Sequence, residues 1–170
     1  MNNVYKLLIT VIITTTFGFS QTTYVPNDNF EQALIDFGYD DVLDDYVLTA
    51  NISGVTTLYV ESKEIADLMG IEAFTALEEL DCHQNQLTSL DVSSNTSLTT
   101  LDCDNNSLTT LDVGSALTSL LCRHNSLTSL DVSANTALTN LACGHNSLTS
   151  LDVSANTALT NLACGHNSLT

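Results

Sequence analysis

The chain has 170 residues, which is enough for one domain of ordinary size. It contains 3 Lys and Arg residues against 20 Asp and Glu residues, and its formal net charge at pH 7 is −17. Nucleic acid is excluded as a partner, because contacts to phosphates need Lys and Arg side chains. Of the acidic residues, 14 fall between Asp28 and Asp81 and 6 follow, so the negative charge is concentrated toward the N-terminal end.

The first 20 residues have the pattern of a secretory signal peptide. A short charged start over residues 1–6 is followed by an apolar run over residues 7–17 and by a small-x-small ending at residues 18–20. A retained membrane anchor is the alternative, but the apolar run is short and rich in Thr for a span. We therefore expect cleavage near Ser20 and Gln21. The mature protein is expected to be secreted or at the cell surface, with no membrane-spanning segment.

Residues 21–54 are predicted to form an N-terminal cap, because they lack the leucine pattern of the rest of the chain. Asp28 and Glu31 have the spacing of a capping box at the start of a helix, and Gly38 is a natural place for that helix to end. The residues expected on its apolar face are Phe30, Ala33, Leu34 and Phe37. We expect this helix to cover the open end of the repeats that follow.

The next segment, residues 40–47, carries four carboxylates within six residues, which raises the question of a calcium loop. It lacks the Asp-x-Asp-x-Asp-Gly spacing of an EF-hand and has no glycine for the turn. The favoured interpretation is a solvated acidic turn or a one-turn helix, with Val42, Leu43 and Val47 packed on the cap.

Residues 55–170 form an array of repeats. Residues 150–170 repeat residues 129–149 letter for letter, and residues 55–76 are a degenerate first copy with Lys63 in the position of a recurrent Asn. The intact units are spaced by 21, 19, 21 and 21 residues, and they begin at Leu77, Leu98, Leu117, Leu138 and Leu159. The first half of each unit reads Leu-x-x-Leu-x-Cys-x-x-Asn-x-Leu, and the second half nearly repeats the first.

This spacing resembles the leucine-rich repeat family, with Cys in place of the usual third leucine. The nested 21-residue unit is similar to the short repeats of bacterial secreted and cell-surface proteins, internalin-like in broad architecture. The resemblance implies an α/β repeat fold. That fold is a leucine-rich repeat solenoid with short parallel strands, about six coils and an N-terminal helical cap. Because the chain stops partway through a repeat, we expect the array to be truncated at residue 170.

One cysteine recurs at an inward position of every intact coil. These cysteines are Cys82, Cys103, Cys122, Cys143 and Cys164. Side chains in register run parallel, so their Cβ atoms rarely come within the ~3.8 Å that a disulfide prefers. We expect free thiols in the core, with occasional bridging as the alternative.

Asparagines recur at the turns and are expected to bond to the backbone of their own and the adjacent coil. The first-half set is Asn85, Asn106, Asn125, Asn146 and Asn167, and the second-half set is Asn95, Asn135 and Asn156. The shortened repeat drops the second Asn, and Gly114 is expected to supply unusual dihedral angles there.

The outward positions beside the first strand vary between coils, whereas the framework positions are nearly constant. In leucine-rich repeat proteins such positions line a concave face that commonly binds other proteins. The candidate ligand-binding residues are Glu78, Glu79, Asp81, His83, Thr99, Asp102, Asp104, Arg123 and His124. Neutral drift on a solvated face is the competing explanation.

No metal, cofactor or catalytic centre is expected. His124, His145 and His166 should point away from the cysteines, so the two sets do not converge on a zinc ion. A weak alternative is calcium bound along a column of carboxylates, Asp91, Asp112, Asp131 and Asp152. No Ser-His-Asp or Cys-His arrangement converges either, so we do not expect an enzyme.

The sequence thus predicts an extracellular or cell-surface binding module for adhesion or recognition. Its partner is expected to be another protein or a surface glycan. The alternative is a structural repeat spacer that presents another domain, with calcium as a candidate stabiliser. Identical coils cannot offer different recognition surfaces, so specificity should lie upstream of the duplication, between Glu78 and His124.

Overall fold

The computed structural model describes residues 20–170, and the predicted signal peptide lies outside these residues except at Ser20. The first elements are β1 (Thr22–Tyr24), α1 (Asp28–Asp36), β2 (Tyr46–Leu48), α2 (Thr49–Ile52) and β3 (Thr57–Tyr59). A 3-10 helix at Ile71–Ala73 follows. The remaining strands are β4 (Glu79–Asp81), β5 (Ser89–Val92), β6 (Thr100–Asp102), β7 (Thr110–Val113), β8 (Ser119–Leu121), β9 (Asn140–Ala142) and β10 (Asn161–Ala163).

A six-stranded parallel sheet runs along the array, with one short strand from each coil. Its order is β3, β4, β6, β8, β9, β10, so every strand pairs with the equivalent strand of the next coil. The central leucine of each strand is in register with the next, as in the pairing of Leu58 with Leu80 and of Leu80 with Leu101. The predicted leucine-rich repeat solenoid with short parallel strands is therefore confirmed.

A second, two-stranded parallel sheet lies in the other half of the coil. It pairs β5 with β7, with Leu90 opposite Leu111 and Val92 opposite Val113. Each coil thus turns twice, which agrees with the nested repeat in the sequence.

The core is a continuous column of leucines and cysteines between these two halves. Strand residues alternate between inward and outward directions, so Leu80, Leu101, Leu120 and Leu141 are fully buried. The strand residues beside them are partly exposed, except the small Ala142, which is buried. No coil carries enough apolar side chains to offset the cost of ordering its own backbone, so stability comes from stacking.

The turn asparagines bond between coils as predicted. Asn85 Nδ2 donates to the carbonyl oxygens of Val60 at 2.8 Å and Cys82 at 3.0 Å, while its Oδ1 accepts from the N–H groups of Lys63 and Ile65. In the second half, the buried Asn95 donates to carbonyl oxygens of the preceding coil. Each amide therefore satisfies backbone groups that the strands leave unpaired.

The N-terminal helix covers the first coil, but its start differs from the prediction. Asn27 is the N-cap, and its side chain accepts from the N–H of Phe30 at 3.0 Å, so the predicted capping box of Asp28 and Glu31 is wrong. Glu31 is buried and its Oε1 accepts from the N–H groups of Asp44 and Tyr46. Glu31 therefore connects the helix to the acidic segment and does not cap the start of the helix.

The apolar face of α1 is also shorter than predicted. Phe30, Ala33 and Leu34 are buried, whereas Phe37 is 42% exposed. Phe37 is the C-cap, after which Gly38 turns the chain with a φ of 78°. The ring consequently lies beyond the last residue that faces the core.

The acidic segment forms no helix. Val42 and Leu43 are 51% and 49% exposed, so their predicted packing on the cap is wrong. Val47 is buried as predicted, because it lies in β2, which pairs antiparallel with β1. This long-range pairing orders the segment from its C-terminal end. It leaves Asp41 and Asp44 exposed, whereas one carboxylate oxygen of Asp40 is shielded from solvent.

Gly114 does not supply unusual dihedral angles, so that prediction is wrong. Positive φ among the described glycines occurs at Gly38 and Gly70. A Cβ atom built on Gly114 would lie 3.6 Å from its nearest neighbours, an ordinary contact. The shortened repeat is instead tied to the next coil by Asn135, whose Nδ2 donates to the carbonyl oxygen of Gly114 at 2.6 Å.

All five cysteines are free thiols, as predicted. Four are buried, and Cys164 in the last coil is half-buried. Burial raises the pKa of Cys82 and Cys122 far above the ordinary thiol value, and raises the pKa of Cys143 to about 11. At pH 7 the thiolate fraction of Cys143 is therefore on the order of 10⁻⁴.

We expect one thiol of the folded protein to react readily with Ellman's reagent at pH 7, and that thiol is Cys164. The other four should react only when the protein unfolds. The measurement is the time course of reagent absorbance with and without urea, for the parent chain and for Cys164→Ser. A fast native reaction that persists in Cys164→Ser would contradict the buried column.

Candidate protein-binding face

The outward side of the six-stranded sheet forms one surface, here called the strand face. It consists of the first and third residues of each sheet strand. In chain order the first column is Thr57, Glu79, Thr100, Ser119, Asn140 and Asn161. The third-residue column is Tyr59, Asp81, Asp102, Leu121, Ala142 and Ala163.

The two ends of the strand face differ in chemistry. At the N-terminal end the parallel register places Glu79 and Asp81 beside Tyr59 and Asp102. At the C-terminal end Asn140 and Ala142 are repeated by Asn161 and Ala163. The surface therefore changes from acidic and aromatic to small and neutral along the array.

The predicted site residues separate into groups. Glu79, Asp81 and Asp102 lie on the strand face, and Glu78 and Thr99 directly precede β4 and β6. Thr99 is tied to the preceding coil, because its Oγ1 donates to the carbonyl oxygen of Glu78 at 3.1 Å.

Two of the predicted residues form a separate ion pair. Arg123 Nε lies 2.9 Å from Asp104 Oδ2, and the Arg123 N–H also donates to Asp104 Oδ1. The Asp104 side chain is only 9% exposed, while that of Arg123 is 44% exposed. Asp104 therefore holds Arg123 in place, and of the two, Arg123 is the more accessible to a partner.

Three predicted residues from two coils come together. His83 Nδ1 lies 2.6 Å from Asp81 Oδ1, and an oxygen of Asp102 completes a set of ligand-type atoms within 4.8 Å of one another. The bond to Asp81 raises the pKa of His83, and burial raises the pKa of Asp102. This is the only group of three His, Cys, Asp or Glu side chains within metal-binding distance in residues 20–170.

His124 lies away from this group, at a turn with a φ of 53°. Its ring stacks on His145 at a centroid distance of 4.2 Å, and His145 stacks on His166 at 4.1 Å. The three rings are exposed while Cys122 and Cys143 face the core. Each histidine follows its cysteine by two residues, so strand alternation would place both on one side. The two sets separate because the strands end before these residues and the chain turns at each histidine with a positive φ.

The pKa values of His83 and His145 are shifted in opposite directions. The hydrogen bond to Asp81 raises the pKa of His83, whereas desolvation and the neighbouring rings of His166 and His124 lower the pKa of His145. We expect NMR titration of the imidazole protons to show His145 titrating at lower pH than His83. The reverse order, or a shared midpoint, would contradict the stacked geometry.

The sign of the pH effect on stability follows from the lowered pKa. The unfolded chain binds a proton at His145 more readily than the folded chain does. The contribution of the neutral ring is therefore fully present above the unfolded pKa and is lost as the pH falls through the folded pKa.

The carboxylate column considered for calcium does not converge. Asp91, Asp131 and Asp152 each accept a hydrogen bond from the N–H of the serine two residues later, at 2.8 to 2.9 Å. Hydrogen bonds from the side chain and the backbone of these serines lower the pKa of the three carboxyls, and for Asp91 the serine side chain has the larger effect. With Asp112, they form no group of three within ligand distance in the described chain.

Sequence reasoning missed two residues of the N-terminal end. Tyr59 is 48% exposed on the strand face, and the Glu79 carboxylate raises its pKa. Glu61 follows β3 and has a side-chain oxygen that is buried without a hydrogen-bond partner. Aligning the degenerate first repeat residue by residue with the second would have placed both beside Asp81 and His83.

Comparison with known proteins agrees with this geometry. The family model for leucine-rich repeats in two copies matches residues 75–113. The functional domain of InlJ from Listeria monocytogenes, which includes a cysteine ladder, is 42% identical with a TM-score of 0.77. That match covers 85% of this chain, and the chain spans 33% of the InlJ domain.

Two further structures share the fold at lower identity. Internalin C2 from Listeria monocytogenes is 22% identical with a TM-score of 0.56, over 88% of this chain and 80% of that one. A leucine-rich repeat protein from Leptospira interrogans is 24% identical with a TM-score of 0.51, over 70% and 39% of the two chains. A comparison with curated protein sequences gave no significant match.

The coil geometry and these matches define the class: the chain is a leucine-rich repeat protein. Its nested 21-residue unit and its likeness to InlJ make it an internalin-like member of that class. The fold is one that presents a surface for protein–protein interaction. In residues 20–170 no helix has the length and apolar character needed to cross a membrane.

Proposed function

We propose that this protein is an extracellular binding module that recognises a basic protein through the N-terminal end of the strand face. The observation that carries the proposal is the contrast along this face. Glu79, Asp81 and Asp102 stand beside an exposed tyrosine, whereas the last two coils present identical small residues. A surface with one distinct end is suited to recognition at that end.

The chemistry of the distinct end indicates the kind of partner. Tyrosine combines a large apolar ring with a hydroxyl group and is enriched among residues that dominate binding energy. The surrounding carboxylates attract positively charged surfaces and accelerate association with them. In residues 20–170 the sequence has only two basic residues, so few local cations compete with a basic partner.

Export is supported by the sequence of the first 20 residues and by the likeness to InlJ. A surface glycan is the alternative partner, because tyrosine and carboxylate side chains also bind sugar hydroxyl groups. No role in catalysis is proposed, since the buried thiols are poor nucleophiles at neutral pH.

The competing function is a spacer that presents another domain, and the perfect duplication allows a direct test. Deleting residues 150–170 removes one complete copy and leaves a chain that ends in the same sequence. Both chains are tested against arrays of purified extracellular protein domains and glycans. A binding module whose site lies upstream should retain its ligand with unchanged affinity after the deletion.

A spacer should show no saturable binding to any protein domain or glycan on the two arrays. A ligand that requires the second copy would place the site in the duplicated coils and would refute the proposed face. If a glycan binds with unchanged affinity after the deletion, the proposed face is retained and the partner is a glycan in place of a basic protein.

A further inference from the structure

The group formed by Asp81, His83 and Asp102 has the composition of a metal site. Ligand atoms bound at about 2.1 Å to one divalent ion are about 3 to 3.5 Å apart. The three ligand-type atoms lie within 4.8 Å of one another, and the closest pair is 2.6 Å apart. Small side-chain rotations therefore bring all three to coordination distance without a change in the backbone.

The backbone already orients both carboxylates. Asp81 Oδ1 accepts the N–H of His83 at 3.1 Å, and Asp102 Oδ1 accepts the N–H of Asp104 at 3.0 Å. In each case the bond fixes one oxygen of the carboxylate. The cross-coil register between β4 and β6 then holds Asp81 beside Asp102. Such outer hydrogen bonds are what metal sites use to position their ligands.

The group combines two carboxylates with one imidazole and lies close to a further carboxylate, that of Asp104. Burial and the nearby carboxylates of Asp104 and Asp81 disfavour the charged form of Asp102. The two basic side chains of residues 20–170 are engaged elsewhere. Arg123 pairs with Asp104, and the Lys63 ammonium lies 5.7 Å from the centre of the Phe37 ring.

A separate observation comes from Glu61, one coil earlier. The N–H groups of Val60 and Ser62 donate to the carbonyl oxygens of Asp81 and His83, so the register places Glu61 next to His83. Its Oε2 is shielded from solvent and has no hydrogen-bond partner. A carboxylate oxygen in such a position is stabilised by a cation beside it, and its distance from solvent strengthens that attraction.

We propose that Asp81, His83 and Asp102 bind a divalent first-row transition metal ion such as zinc, with Glu61 beside them as a further carboxylate. Imidazole nitrogen selects against calcium and magnesium, which prefer oxygen ligands. Three protein ligands at a partly exposed position leave coordination sites open to solvent. This site differs from the sequence-based expectation of no metal, and it does not depend on the proposed partner.

Isothermal titration with zinc chloride at pH 7 in a buffer that does not chelate tests the proposal. We compare the parent chain with His83→Gln, Asp102→Asn and the control His145→Gln, which changes an exposed histidine of the stack. One equivalent should bind to the parent and to His145→Gln. Each ligand variant should bind on the order of tenfold more weakly or not at all, as is typical when a metal site is disturbed. In the same titration, calcium chloride should show no saturable binding to the parent that is lost in His83→Gln or Asp102→Asn.

The proposal is overturned if the parent binds no zinc, if His83→Gln and Asp102→Asn bind zinc like the parent, or if binding disappears in His145→Gln. Loss in the last variant would place the ion on the histidine stack. His83 and Asp102 lie outside the fully buried core, and circular dichroism verifies that the variants fold. If one of these two variants does not fold, the zinc affinity of the other tests the proposal, because each variant removes one ligand.

Discussion

Replacing Asn106 by Ala is expected to destabilise the protein by about 2 kcal/mol or more. The N–H of Leu87 loses its partner, which costs about 1 to 3 kcal/mol, and the carbonyl oxygens of Cys82 and Cys103 each lose one of two hydrogen bonds from turn asparagines. Asn106 Nδ2 donates to the carbonyl oxygens of Cys82 and Cys103 at 3.0 and 3.2 Å, and its Oδ1 accepts from the N–H of Leu87 at 3.0 Å. The substitution thus removes side-chain hydrogen bonds that join the third coil to the second. The measurement is the free energy of unfolding from urea titration followed by circular dichroism.

Asn140→Ala is the matched control for this prediction. It removes the same type of side chain from a strand of a later coil, but Asn140 Nδ2 makes one bond, to Ser119 Oγ at 3.1 Å. Both of these groups are only partly buried, so the loss should be below about 1 kcal/mol. Equal losses for the two variants would mean that the turn asparagines do not hold the coils together.

The array could be predicted from sequence because its rules are local. The alternation of Leu80 and Cys82 with polar neighbours fixes which side chains face inward. The recurrence of the same leucine pattern every 19 to 21 residues fixes the register of one coil on the next. The Asn positions follow from the same spacing. Nothing distant in the chain competes with these preferences.

The cap could be predicted only in outline, because its details depend on contacts across the fold. Glu31 fits a helix-start pattern, yet it bonds to Asp44 and Tyr46, which no local rule connects to it. Val42 and Leu43 are apolar, but the pairing of β2 with β1 leaves them in solvent. Local chemistry was outweighed by long-range pairing in both cases.

The sequence predicts which residues belong to the candidate site, but it does not predict the contacts between their side chains. The register places Asp81 beside Asp102, but the sequence does not show that the His83 ring turns back onto Asp81. It also does not show that Asp104 is covered by Arg123. Side-chain direction after the end of a strand depends on turn geometry, which the repeat spacing alone does not fix.

Reversing the charge of the strand face is expected to abolish binding to a basic partner. The triple variant Glu79→Lys, Asp81→Lys, Asp102→Lys replaces the three carboxylates of the strand face by ammonium groups. Like charges brought together across an interface cost several kcal/mol, so the affinity should fall on the order of a hundredfold or more. The side chains point away from the core, so the fold should persist.

The matched control carries the same change in net charge on a different surface. It is the triple variant Asp112→Lys, Asp131→Lys, Asp152→Lys, whose three carboxylates are exposed outside the six-stranded sheet. General attraction between an acidic protein and a basic one would weaken equally in both variants. Recognition through the strand face weakens only in the first.

The dissociation constant of the partner identified on the protein array, measured by biolayer interferometry for the parent and both triple variants, tests the central claim most directly. EDTA is present throughout, so that the result does not depend on the proposed metal. The proposed function predicts loss of binding for the strand-face variant and near-parental binding for the control. Equal dissociation constants for the two variants would contradict it.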